Sequence, residues 1–101
     1  MNTVVLIGNV ATEVELRELP QDKRVANFML AVDRAGDGKT DLFRITAWDR
    51  QADLCTSHLG KGRQVGVGGR LRQRSWQDAD GNKRSAVEVV ASTVEPLGPA
   101  G

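Results

Sequence analysis

Residues 63–97 form two long alternating runs around one turn signal, which commits a third of the chain to a single hairpin. "RQVGVGGRLRQRSWQ" (63–77) and "RSAVEVVASTVEPL" (84–97) have the period of strands, and "DADGNK" (78–83) carries the Asp-Gly pair of a tight turn. Side chains alternate across a strand. Val65, Val67 and Leu71 therefore share one face, with Gly69 among them, and that face is expected in the core. The other face reads Gln64, Gly66, Gly68, Arg70, Arg72, Arg74, Trp76. A tryptophan meant for the core would fall with Val and Leu, but Trp76 falls with the arginines. Gly66, Gly68 and Gly69 are expected to allow strand bending or close backbone approach.

The rest of the chain supplies a body for this hairpin. "TVVLIGNV" (3–10) reads as a strand buried on both faces. "ATEVELRELPQDK" alternates weakly and turns at Pro20, and no strand is assigned to it. "RVANFMLAVDR" (24–34) and "TDLFRITAW" (40–48) are strands joined by the glycine turn "AGDGK". The period then changes: Ala52, Cys55 and Leu59 fall at helical spacing, with Asp49 as expected N-cap and Gly60 or Gly62 as stop. The expectation is an all-β domain over 1–97 with a short flexible tail, 98–101. Five strands with one short helix between the third and fourth describe the Greek-key barrel of the OB-fold. The surplus length of the fourth and fifth strands makes a protruding hairpin.

Charge singles out the same segment. The net charge is only +1, but residues 59–84 hold seven basic and two acidic side chains, against seven basic and eleven acidic elsewhere. Such a strip is either a solvated hairpin or a surface for a polyanion. The third strand repeats the motif: Leu42, Arg44, Thr46 and Trp48 share the face opposite Phe43, Ile45 and Ala47. Indoles stack on bases and guanidiniums pair with phosphates, and a single strand exposes both at once, whereas a duplex hides its base faces. The alternative is that each tryptophan packs beneath arginine stems as a cation–π pair.

Other chemistries find little support. Cys55 is the sole cysteine, which excludes an internal disulfide and fits a reducing compartment. The N-terminus has no basic leader, and no run approaches the ~18 apolar residues of a membrane span. One His and one Cys, His58 and Cys55, three apart on the helix, give no convergent catalytic or metal set, so neither an enzyme nor a cofactor is expected. "GVGG" and "LGKG" lack the spacing of phosphate-binding loops.

"NTVVLIGNV", "VANFMLAVDR", "DLFRITAWDRQADL", "LGKGRQVGVGGRLRQRSW" and "DADGNKRSAVEVVASTVEPL", in that order, resemble segments of the bacterial single-stranded DNA-binding protein family. The resemblance implies sequence-independent binding and protection of single-stranded DNA in replication, recombination and repair. It implies a homotetramer whose first strands pair between subunits, and a cytoplasmic, nucleoid-associated protein with no membrane partner. Trp48 and Trp76 match stacking positions; Arg44, Arg50, Lys61, Arg72 and Arg74 match positions often basic. Arg70 joins them by its face, and Lys83 and Arg84 add charge at the hairpin tip. Two stacking positions depart from the family pattern, at Leu42 and in the abbreviated "AGDGKT". The family's acidic tail is not found either, so recruitment of repair proteins through it is not expected. A scaffold of the primosomal type, dimeric or tetrameric, and a single-stranded RNA-binding OB-fold stay open as alternatives.

Overall fold

The computed structural model describes residues 1–98. Six strands and one helix follow in the order β1 (Val4–Val10), β2 (Glu15–Leu19), β3 (Lys23–Asp33), β4 (Thr40–Trp48), α1 (Arg50–His58), β5 (Gln64–Gln77) and β6 (Lys83–Pro96). They form one sheet, β1-β5-β6-β4-β3-β2, which closes on itself where β1 also meets β3. The ring has five positions, because β2 and β1 share one edge of β3: β2 lies along Lys23–Asn27 and β1 at Leu30 and Ala31. The five-stranded OB-fold barrel expected from the sequence is therefore the architecture, with the helix between the third and fourth strands of the ring. Residues 99–101, most of the expected tail, lie outside the described residues.

β2 is a strand that the apolar pattern missed. Four of its five residues are exposed, so hydrophobic alternation could not announce it; its backbone pairing with β3 makes it. Closure depends on Gly8, where a Cβ would sit 2.2 Å from the Ala31 carbonyl oxygen. Only a residue without a side chain lets β1 cross β3 so closely.

The core is filled by Val10, Ala26, Phe28, Leu30, Ile45, Ala47, Val65, Val67, Val89 and Val94, with Ala52, Cys55 and Leu59 brought in by the helix segment. The expected helix face is thus the buried one. Burial pushes the Cys55 thiol up to about 11, so it stays protonated and inert. Asp49 is the N-cap residue as expected, but its side chain and the helix stop differ from expectation. The Asp49 carboxylate does not cap α1; its Oδ1 accepts the backbone N–H of Arg24 at 3.0 Å, because β3 is the nearer claimant. The helix stops at Leu59, whose backbone turns extended to bury the side chain, before either glycine is reached.

Two faces also need correction. β1 is buried on one side only: Val5 and Ile7 are 74% and 58% exposed. Leu71 is 45% exposed although it shares a face with Val65 and Val67, because β5 has by then run past β1, whose pairing with it ends at Gly69. The change comes at Gly69, where the β5–β6 register shifts and a Cβ would meet the Val90 oxygen at 2.1 Å. No helix among the described residues is long and apolar enough to cross a membrane.

Candidate nucleic-acid interface

The strand registers assemble the predicted residues into rows on one face of the sheet. Along β5, Arg70, Arg72, Arg74 and Trp76 lie opposite Val90, Glu88, Ala86 and Arg84 of β6. β6 runs parallel to β4 with Thr46 beside Val90, so Arg44 falls beside Glu88. β4 in turn pairs Arg44 with Met29, Thr46 with Asn27, and Trp48 with Val25 of β3. The arginines of two strands distant in sequence thus meet on one surface, with Trp48 and Trp76 on it.

The outermost row continues to β2, where Arg17 pairs with Val25 and so lines up with Trp48. Arg17 is exposed and has no acidic partner among the described residues. Sequence reading passed over it because β2 itself was not recognised; the signal lay in its two-residue offset from Glu15 and Leu19.

The two indoles are held differently. Trp76 is 41% exposed, and the Arg74 guanidinium carbon stands 4.4 Å from its ring centroid. The cation–π pairing is therefore present at Trp76, and it fixes the ring while leaving indole surface free. Trp48 is half-buried at the end of β4, beside Val25 of β3, with no cation over its ring among the described residues. Leu42 is exposed on the same face, two positions before Arg44.

Glu88 is the feature that sequence reading missed. It is 3% exposed, the only buried charged residue among those described. Arg72 donates to its Oε1 from Nη2 at 2.7 Å and from Nε at 3.2 Å. The Thr46 hydroxyl donates to its Oε2, and Arg44 Nε lies 3.5 Å from that oxygen. Burial works to raise the Glu88 carboxyl. The Thr46 hydroxyl, Arg72 and Arg44 outweigh it, so the group sits below the usual glutamate range and is ionised at neutral pH.

The remaining cations are scattered around this surface. Arg84 lies across from Trp76, but its Nε donates to Asp78 Oδ2 at 3.0 Å. Asp78 also accepts the backbone N–H groups of Asn82 and Asp80, which shapes the turn. The Asn82 bond and Arg84 hold the Asp78 carboxyl below its ordinary value. Lys83 pairs with Gln77 and falls on the opposite face. Arg50 opens α1 and Lys61 lies in the turn after it; both are exposed, and no strand register joins them to the rows. Among the described residues no three His, Cys, Asp or Glu side chains gather as a metal set.

Comparison with known proteins matches residues 1–97 to the single-strand binding protein family. The chain belongs to that family. It is 41% identical to single-stranded DNA-binding protein 1 of Chlorobaculum tepidum, over 97% of this chain and 65% of that protein. It is 37% identical to the single-stranded DNA-binding protein of Halalkalibacterium halodurans, over 100% of this chain and 63% of that protein. With single-stranded DNA-binding protein 3 of Clostridium acetobutylicum it shares 39% identity over 96% and 71% of the two chains. The chain therefore spans about two thirds of the length of these relatives. Within the family domain, the arginine and tryptophan rows occupy the sheet face formed by β3, β4, β6 and β5 and the hairpin that extends from it.

Proposed function

We propose that this chain binds single-stranded DNA without sequence preference and protects it during replication, recombination and repair. Trp48 and Trp76 stack on bases. Arg44, Arg70, Arg72 and Arg74 on the shared face, with Arg84 across from Trp76, take the phosphates. Arg50 at the start of α1, Lys61 in the turn after it and Lys83 on the reverse of the hairpin only add positive charge around that face. The observation that carries this reading is the gathering of four arginines and two tryptophans on one sheet face of a chain in this family. A duplex offers such a face phosphates but no base planes, whereas a single strand offers both.

The reading includes a homotetramer in the bacterial nucleoid. Its support is β1, which pairs with β5 along Val4–Asn9 but with β3 only at Asn9 and Val10. From Val4 to Ile7 an edge stands without a neighbour among the described residues, beside the exposed Val5 and Ile7. An apolar open edge of that kind invites pairing with another copy. Sedimentation analysis tests this: a tetramer is expected, and a monomer at micromolar concentration overturns it.

Titration with oligo-dT tests the binding itself, read by tryptophan fluorescence at low and high salt. The chain has two tryptophans and no tyrosine, so the signal belongs to Trp48 and Trp76. Saturable quenching that partly survives high salt is expected. Absence of quenching at any salt overturns the stacking role, and equal quenching by oligo-U overturns the preference for DNA.

A further inference from the structure

Glu88 stands where an acid is least expected, in the middle of a face read as binding a polyanion. The registers account for its two partners. β5–β6 pairing sets Arg72 directly opposite it, and β4–β6 pairing sets Arg44 on its other side. Both of its oxygens are engaged, Oε1 by Arg72 and Oε2 by the Thr46 hydroxyl with Arg44 Nε nearby. Arg44 Nε is itself buried and has no hydrogen bond of its own. By contrast Arg70 is exposed and has no acidic partner among the described residues, and Arg74 lies on Trp76.

We propose that Glu88 positions Arg44 and Arg72 on the binding face and cancels one of their two charges, so that the cluster offers a strand the equivalent of one phosphate contact instead of two. The inference rests on the single-strand reading above. Its physical basis is asymmetric. A guanidinium at the surface gains modestly from a phosphate in water. A buried carboxylate stripped of both guanidiniums suffers a large desolvation loss. The two arginines therefore cannot both leave Glu88 when a strand arrives. The part of the face nearest the barrel is fixed and half-neutralised, and Arg70 carries the unopposed charge beside it.

The salt dependence of oligo-dT binding reads this directly, because each phosphate neutralised on a single strand contributes about 0.7 to the slope of log K against log salt. Glu88→Gln is expected to steepen the slope by about 0.7, a roughly threefold larger loss of affinity over a fourfold rise in salt. Glu88→Asp, which keeps the charge, is expected to retain the wild-type slope. The triple variant Arg44→Met, Arg72→Met, Glu88→Leu is expected to flatten the slope by about 0.7 and not by the ~1.4 of two lost phosphate contacts. Circular dichroism checks that each variant folds. The triple variant keeps the test decisive if Glu88→Gln does not, since buried ion clusters commonly tolerate replacement by apolar side chains. A wild type that binds while Glu88→Gln keeps its slope, or a triple variant that loses about 1.4, overturns this inference alone. A wild type that binds no oligonucleotide at any salt overturns the single-strand reading as well.

Discussion

The β5–β6 hairpin has two halves built from the same alternating pattern, and they have opposite fates. In the half nearest the barrel, Val65, Val67 and Val94 are buried and their alternates are glycines or exposed polar residues. In the far half, Leu71 and Val87 occupy the same kind of position and are 45% and 61% exposed. On β5 the boundary is the register shift at Gly68/Gly69; on β6 it falls nearer the tip, between Val87 and Glu88. Periodicity says which side chains share a face, but a face becomes core only when another layer covers it. The near half has β1 and the rest of the ring over it. In the far half β6 still pairs with β4 and keeps Val89 buried, but β5 has run past β1. Among the described residues outside the hairpin, Asn2 alone reaches it by hydrogen bond, its side chain clipping the Leu71 backbone N–H and carbonyl at 2.9 and 2.8 Å.

The most severe way to break this comparison is at the boundary. Gly69→Val is expected to cost more than about 3 kcal/mol in urea denaturation, because its side chain would collide with the Val90 carbonyl. Gly68→Ala, where the nearest atom is 3.9 Å from the added carbon, is expected to stay within about 1 kcal/mol. Equal effects would show that the shift does not depend on the missing side chain.

The two inner faces come next. Val67→Ala should destabilise by about 2 kcal/mol through lost burial and a residual cavity. Val87→Ala should stay within about 0.5 kcal/mol. A Val87 cost matching that of Val67 would mean that another chain covers the far half in solution.

The outer faces separate binding from stability. Trp76→Ala is expected to weaken oligo-dT binding by about 1–3 kcal/mol in fluorescence competition while moving the melting temperature little. That magnitude is carried over from single-strand-binding proteins, this family among them, and does not derive from this face. Trp48→Ala, in the half-buried position, should lower both affinity and stability. If Trp76→Ala unfolds the protein instead, its pairing with Arg74 is structural.

The smallest effect concerns pH. The Glu88 carboxyl lies below its ordinary value in the folded chain, so its contribution to stability is complete above the ordinary glutamate range. That contribution is lost as pH falls through the folded value. Thermal melts from pH 7 toward pH 3 should show the wild type losing this part of its stability and Glu88→Gln lacking that loss. Parallel curves would remove Glu88 as a source of acid sensitivity.

Much of the molecule was legible in the order of residues. The turn at 78–83 was marked by Asp-Gly, and Gly81 duly adopts a positive φ of 82°. The helix face was visible in the spacing of Ala52, Cys55 and Leu59, and the arginine strip in its period of two. β2 was not legible, because backbone pairing with β3 makes it a strand while its side chains stay in water. The position of the Asp49 cap was legible but its carboxylate's partner was not, for a related reason: a carboxylate before a helix is also available to a strand that the fold brings beside it.

By itself the sequence determined the barrel, the hairpin and which side chains share each face, since these follow from local period and turn chemistry. Tertiary structure alone decided which of those faces are covered and which charges are already spoken for. Glu88 sits 16 residues from Arg72 and 42 from Thr46 along the chain. Nothing in its neighbourhood "SAVEVVA" marks it as the buried partner of two arginines. Only the pairing of β6 with β4 on one edge and β5 on the other brings those charges together, where low dielectric makes their pairing obligatory.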